Sequence, residues 1–235
     1  MLTSVFETIN IPVSSDINNL PFDLRRKYYD KLPQLNFSRI KLLLESKQAF
    51  LKPTPQKATT YFEFGCTFHL AMHETLSNYP ITKTTKPITI KDVITPSLDP
   101  KIRPMIVTTV NKLLRNKIPH PDNEILTEIV CFDKDYKAMI DCKYRLHTEN
   151  GFDEALVDFK TTFQTNQTKL LNTITKYHYD KQIAFYHRFM SYTPKILFCD
   201  KINFIPVMVK INTLPVIETN NLAKNALALF TENKS

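Results

Sequence analysis

The stretch from Glu124 to Thr162 constrains the fold more than any other part of the chain. Pro119 and Pro121 break the chain ahead of it, and the apolar period changes after them. Glu124 to Phe132 reads as a strand, Asp133-Lys134-Asp135-Tyr136 as its turn, and Lys137 to Tyr144 as the return strand of a hairpin. Gly151 sits in the next connection, and Leu156 and Val157 open a third, buried strand. Three strands in succession imply an antiparallel meander. With the helical patterns around it, the block predicts an α/β fold in which a mixed sheet is flanked by helices.

The third strand carries Glu154-Ala155-Leu156-Val157-Asp158-Phe159-Lys160-Thr161-Thr162. Residues two apart project from one face of a strand, so Asp158 and Lys160 stand side by side while Phe159 points into packing. A carboxylate that can hold a metal beside a cation that can meet a phosphate suits phosphodiester chemistry. The plain alternative is a strand-end ion pair, which is common and contributes little. Asp141 follows Ala138, Met139 and Ile140 in the return strand, where a buried carboxylate needs a partner. In a meander it can lie next to Asp158. Two such carboxylates repel unless a cation sits between them, and Mg²⁺ or Mn²⁺ suits oxygen ligands. The alternative for Asp141 is a hairpin-edge aspartate in solvent.

Around this block the pattern is helical. Residues 1–16 are polar and unpatterned and read as an arm. Asp16 to Leu32 reads as a helix interrupted at Pro21, with Asp23 capping its second part. Ser38 is the expected cap of a helix that runs to about Phe50, and Pro53 and Pro55 mark a loop. Thr59 or Thr60 opens the next helix, to about Leu76, with Gly65, His69, Met72 and Leu76 on one stripe. A glycine inside a helix costs about 1 kcal/mol relative to alanine, so Gly65 is expected to serve a close backbone approach. Residues 78–104 read as a long connection and Ile102 to Leu114 as a helix. Thr175 to Tyr192 is periodic, with Tyr179, Gln182, Tyr186 and Phe189 on one face. Ile196 to Cys199 and Asn203 to Ile211 read as strands, and Leu222 to Phe230 as a closing helix.

Composition narrows the functions. Hydrophobic residues make up 43% of the 235 positions, enough for a sizeable core. The net charge of +8 favours polyanionic partners, nucleic acid before anionic membrane. No apolar run approaches the roughly 18 residues of a membrane span, and Met1 to Glu7 shows no secretory signal. Cys66, Cys131, Cys142 and Cys199 form no C-x-x-C pair, which suits reduced thiols in a cytoplasm. The two glycines, Gly65 and Gly151, exclude a Gly-rich phosphate loop. His69 and His73 stand four apart and could chelate zinc, but no H-E-x-x-H order and no evident third ligand accompany them. The packed-face alternative holds for Gln182 and Tyr186, and for His73.

In order along the chain stand Phe37-Ser38-Arg39-Ile40-Lys41-Leu42-Leu43, Phe64-Gly65-Cys66-Thr67-Phe68-His69, Ala138-Met139-Ile140-Asp141, Leu156-Val157-Asp158-Phe159-Lys160-Thr161-Thr162, and Tyr179-Asp180-Lys181-Gln182-Ile183-Ala184-Phe185-Tyr186. This series resembles the PD-(D/E)XK nuclease superfamily, and within it the RecE-type, lambda-exonuclease-like branch. The segments match its serine-capped opening helix, G-x-x-x-H helix, motif-two strand, D-x-K-T-T strand and Y-x-x-Q-x-x-x-Y helix. The resemblance runs from about Asn36 to Ile211. It implies a restriction-endonuclease-like core over 36–235 after an N-terminal arm and helix over 1–35. Lys47 departs from it, following Ser46 where many relatives have proline.

The resemblance implies that His69, Asp141 and Asp158 bind Mg²⁺ or Mn²⁺ with the main-chain carbonyl of Phe159. Lys160 would orient or activate the attacking water. Gln182 and Tyr186 would steady the site or the nucleic-acid backbone, and Glu128 would support it from the preceding strand. Lys181 and Arg188, seven apart, are expected to share a face that tracks phosphates. Relatives with an iron–sulfur cluster carry three cysteines near the C-terminus; only Cys199 lies there, so no cluster is expected. The implied activity is a metal-dependent exonuclease resecting double-stranded DNA ends 5′-to-3′ in recombination; a phage origin and the cytoplasm of a bacterial host go with that implication. A ring-shaped homo-oligomer and a single-strand annealing partner go with such enzymes. The alternatives are another nuclease of the superfamily, single-strand specific or endonucleolytic, and an inactive DNA-binding protein or adaptor.

Overall fold

The computed structural model of the protein describes residues 15–53, 60–97 and 99–233. The expected meander is present as β1 (Glu124–Phe132), β2 (Lys137–Thr148) and β3 (Gly151–Thr162), antiparallel in succession. β4 (Thr193–Asp200) adds parallel to β3, and β5 (Pro206–Lys210) antiparallel to β4. The five-stranded sheet is therefore mixed, in the order β1-β2-β3-β4-β5. A parallel pair needs a crossover. It is supplied by two helices between β3 and β4, Gln167–Lys176 and Tyr179–His187.

The helices, in chain order, are α1 (Ser15–Asn18), α2 (Phe22–Lys31), α3 (Phe37–Glu45), α4 (Lys47–Leu51), α5 (Thr60–Ser77), α6 (Ile102–Leu114), the crossover helices α7 and α8, and α9 (Val216–Glu232). They flank the sheet over two apolar cores. In one, Val157, Phe159, Cys142, Tyr144 and Leu197 meet Phe68 and Met72 of α5 and Met105 and Ile106 of α6. In the other, Leu156, Ile196 and Phe198 meet Ile40 of α3, Phe50 of α4, Ile183 and Phe185 of α8 and Ala223 of α9. Phe159 is 1% exposed, and burying such a ring stabilises by about 1.5–3 kcal/mol. That burial fixes the register of β3. A slip of one residue would drive Asp158 and Lys160 into the α5/α6 core.

Several boundaries differ from the sequence reading, each for a local reason. Asn36, not Ser38, caps α3, its side chain accepting from the Arg39 N–H at 2.9 Å. Both residue types cap well, and the choice that puts Phe37 inside the buried first turn prevails. The helix expected to reach Phe50 breaks at Ser46, whose backbone is extended and whose Oγ accepts from the Ala49 N–H at 2.9 Å to open α4. The helix expected over 175–192 is α7 and α8 joined at a corner, because His178 sits in the left-handed region with φ 58°. Gly65 serves no close approach: nothing lies within 4 Å of where its side chain would begin. β2 runs on to Thr148, β5 is shorter than 203–211, and α9 starts at Val216 rather than Leu222. The arm placed over 1–16 falls outside the described residues except at its last two positions, as do Pro55 and Thr59. No described helix is long and apolar enough to cross a membrane.

β1 is an edge strand, and the N-terminal helices cover backbone groups in its middle, at Thr127, Glu128 and Val130. Asn18 accepts from the Val130 N–H at 2.9 Å and donates to the Val130 carbonyl at 3.3 Å. Arg25 of α2 donates to the carbonyls of Thr127 at 2.8 Å and Glu128 at 2.9 Å. Edge groups satisfied this way present no template for a further strand.

Candidate functional site

The site forms where the meander splits. β1 and β2 pair at Thr127↔Cys142 and at Ile129↔Ile140, so Glu128 and Asp141 lie opposite each other between those rungs. The β2–β3 ladder ends at Cys142↔Val157, one step before Asp141 and Asp158. Beyond that rung β3 continues against β4 alone, with Asp158 opposite Ile196 and Lys160 opposite Phe198. The backbone of β3 is thereby freed from β2, and buried backbone donors require a partner. Asp141 provides it: its Oδ2 accepts from the Phe159 N–H at 2.7 Å. The carboxylate thus rests on the peptide group that joins Asp158 to Phe159.

The split also lets α5 reach in. His69 Nδ1 lies 3.5 Å from Asp141 Oδ1 and 3.7 Å from Glu128 Oε1. Its ring meets Phe159 edge-on, with centroids 6.3 Å apart. One potential ligand atom from each of His69, Glu128 and Asp141 falls within 4.8 Å of the others, and no other such group occurs among the described residues. Glu128 holds φ at 51°, a conformation that costs a non-glycine residue about 1–3 kcal/mol. The Arg25 guanidinium on its carbonyl helps to hold that backbone in place.

On the α8 side, Lys160 Nζ meets Asp158 Oδ2 at 2.7 Å and lies over the Tyr179 ring at 4.9 Å from its centroid. Asp158 is fully buried, yet neither of its oxygens is in a well-aligned hydrogen bond. Gln182 donates from Nε2 to the Tyr186 hydroxyl at 2.6 Å, one helical turn along α8. Burial, then the nearby Asp158 and Asp141 carboxylates, hold the Tyr186 phenol well above its ordinary range.

The charges are strongly coupled. Burial alone would lower the His69 imidazole, but the carboxylates of Asp141 and Glu128 overcome it and raise it to about 10. Asp141 is held low against its burial by His69, Lys160 and the Phe159 N–H. Burial raises Asp158 despite Lys160, and Asp141 raises it further. Burial also raises Glu128, with Asp141 adding to the shift. Three buried carboxylates facing one lysine and one histidine are short of positive charge. A hard divalent cation is the chemistry that this donor set fits. The unaligned oxygens of Asp158 and the compact His69–Glu128–Asp141 group are the observations that carry the fit.

Among the residues singled out from the sequence, His69, Glu128 and Asp141 come together, and Asp158, Lys160 and Tyr186 adjoin them through shared electrostatics. Lys181 and Arg188 do not form one open face. Lys181 pairs with Glu218 of α9 at 3.0 Å. Arg188 pairs with Asp133 at 3.1 Å and covers the Tyr136 ring. His73 turns away to Thr127 Oγ1 at 2.6 Å, and burial followed by Arg25 lowers it to about 4. Arg25 itself gave no signal, being one cation among many in α2. Tyr179 was legible as the first tyrosine of the Y-x-x-Q-x-x-x-Y segment and as part of a helix face, but not as a neighbour of Lys160. No family model matches the chain, and no curated protein matches it either.

Proposed function

We propose that the protein is a metal-dependent deoxyribonuclease with a restriction-endonuclease-like, PD-(D/E)XK core. One observation carries the reading. At the point where β2 leaves β3, Asp141 is seated on the Asp158–Phe159 peptide, with His69 and Glu128 on one side and the Asp158–Lys160 pair on the other. The order of the sequence motifs supports the same assignment.

Asp141, Asp158 and His69, the last after losing the proton that Asp141 and Glu128 hold on it, would hold Mg²⁺ or Mn²⁺ with the Phe159 carbonyl, and Glu128 stands close enough to His69 to take part. A divalent ion bound there supplies Lewis-acid shielding of the phosphate and a more acidic water. The remaining work falls to the chain. Hydrolysis adds water to phosphorus and breaks one P–O ester bond, leaving a phosphate monoester and a hydroxyl. Negative charge grows on the non-bridging oxygens, and Lys160, fixed between Asp158 and the Tyr179 ring, offsets it without reorganising. The lysine is kept protonated by Asp158 and Asp141, which outweigh its burial. It therefore acts as a cation that orients water and phosphate. Gln182 fixes the Tyr186 hydroxyl beside the carboxylates.

The finer proposal is exonucleolytic resection of double-stranded ends, 5′-to-3′, by a ring-shaped oligomer beside an annealing protein; the motif resemblance alone directs it. Digestion of end-labelled linear DNA and closed circular DNA with Mg²⁺ tests the whole reading. The expected result is terminal degradation of the linear substrate, an intact circle, and no cutting in chelator. Nicking of the circle would indicate an endonuclease. Salt-sensitive binding with no cutting in Mg²⁺ or Mn²⁺ would indicate a DNA-binding protein and overturn the proposal.

A further inference from the structure

We infer that the cleft beside Lys160 is a stacking site for the unpaired end of a DNA strand. The inference rests on the nuclease reading and names where the strand lies before it reaches the carboxylates. The cleft, of about 500 Å³, opens between the end of β3 and α7. Phe163, Tyr177 and Tyr179 line it together with Lys169 and Lys176; its other lining residues are threonines and amides, and no carboxylate is among them. In a chain with 23 acidic residues, a lining without one selects for a polyanion.

The rings are arranged for stacking. Tyr177 is 47% exposed and Phe163 53%. Tyr177 and Tyr179 lie 5.8 Å apart at 25°. His178, left-handed at the α7–α8 corner, separates them, and both rings nonetheless line the cleft. Ammonium groups interleave with the rings: Lys176 lies 5.4 Å from the Tyr177 centroid and Lys160 4.9 Å from that of Tyr179. Tyr179 therefore belongs to both places, lining the cleft and facing the proposed catalytic lysine. A strand following this path exchanges base stacking for ring stacking and meets a cation at each step. Single strands are held in this way without sequence preference. A closed duplex is not, because its base faces are already covered. The Gln164 and Asn172 amides in the lining can meet base edges of any kind.

The test is equilibrium binding of dye-labelled oligothymidine to the full chain, in chelator so that no strand is cut and at one fixed salt concentration. A backbone of the same length with abasic sites is the control. Oligothymidine is expected to bind on the order of tenfold more tightly than the abasic strand, the scale of one lost stacking contact. Tyr177→Ala should bind both strands alike, at the abasic level, and Tyr177→Phe should restore the difference. Tyr177 is half-exposed, so its truncation should leave the melting temperature in place. Equal binding of the two strands by the unaltered protein, or an undiminished difference in Tyr177→Ala, overturns the inference. A protein that shows the base-dependent increment but cuts no DNA keeps the cleft and loses the nuclease reading. One that cuts DNA but shows no increment keeps the nuclease and loses the cleft.

Discussion

Two aspartates on β3, five residues apart, are treated in opposite ways. Asp153 is surrounded by donors. Lys195 Nζ reaches its Oδ1 at 2.8 Å, the Tyr144 hydroxyl its Oδ2 at 2.9 Å, and Lys117 pairs with the same Oδ2. Burial opposes ionisation there, but the hydrogen bonds from Lys117 and Lys195 bring the carboxyl down to about 2. Asp158 is more deeply buried, has one cation and an acidic neighbour, and is raised. The first arrangement is closed: each oxygen has its partner, and the group serves stability. The second is open, and its missing interactions are those that a ligand would provide. Buried polar groups are nearly always paired in folded proteins, so the unaligned Asp158 oxygens are what single this cluster out as the candidate site.

The sharpest way to break this contrast is to remove Lys160. Lys160→Ala should lower single-turnover cleavage by about 10²–10³-fold, the usual loss for one fixed electrostatic group. The fold should survive, because Asp158, already raised, can take up a proton in place of its lost partner. Asp158→Ala should behave differently, weakening Mg²⁺ dependence in the same titration as well as slowing turnover. Wild-type cleavage by folded Lys160→Ala would remove this strand from the proposed mechanism.

The mirror experiment is Asp153→Ala. It leaves Lys117 and Lys195 adjacent with no carboxylate between them. Loss of one partner from a fully buried pair costs about 3–5 kcal/mol; solvent reaches this one, and a cost of about 2 kcal/mol is expected in urea unfolding. Metal titration of cleavage should not change. A variant that lost metal affinity without losing stability would reverse the roles given to the two aspartates.

Acid titration sharpens the same point with a smaller effect. The folded Asp153 carboxyl lies near 2, below its ordinary value of 3.8. Its folded-state pKa is depressed, so its stabilisation is present above the unfolded pKa and is lost as pH falls through the folded one. Stability measured from about pH 5 down to about pH 2 should fall less steeply in Asp153→Asn than in the unaltered protein. Identical slopes would mean that the lysine pair does not act through this carboxylate.

The smallest effect concerns Gly65, one helical turn before His69. Nothing occupies the space its side chain would fill, so Gly65→Ala should raise stability by about 0.5–1 kcal/mol in thermal or urea unfolding. Cleavage should continue at the unaltered rate. A drop in cleavage with raised stability would show that bound DNA, not protein, occupies the space.

Much of this was legible in the sequence, for reasons tied to period. Alternation between Glu124 and Thr162 specified the meander, and the two-residue spacing of Asp158 and Lys160 specified their common face. The separation of β2 from β3 was not legible. Each strand looks continuous alone, and only the ladder shows that pairing stops at Cys142↔Val157. Positive φ at Glu128 was hidden too, since glutamate rarely adopts it, and at His178, a residue type that takes it more often, no flanking turn signal pointed to a corner. Lys181 and Arg188 looked free because their partners, Glu218 and Asp133, lie in distant segments of the chain. Lys160 looked like one half of an ion pair, and its second neighbour, Tyr179, became visible only once the crossover was in place.

The hydrogen bond from Arg25 to the Glu128 carbonyl spans 103 positions. It bears on the timing of assembly during synthesis. The segment that carries Arg25 leaves the ribosome long before β1 exists, and closing so long a loop is among the costlier steps for the chain. Arg25 can help to hold the left-handed backbone of Glu128 only after that closure. The core that joins Ile40 and Phe50 to Ala223 of α9 closes a longer stretch of chain still, so it waits for the C-terminal helix.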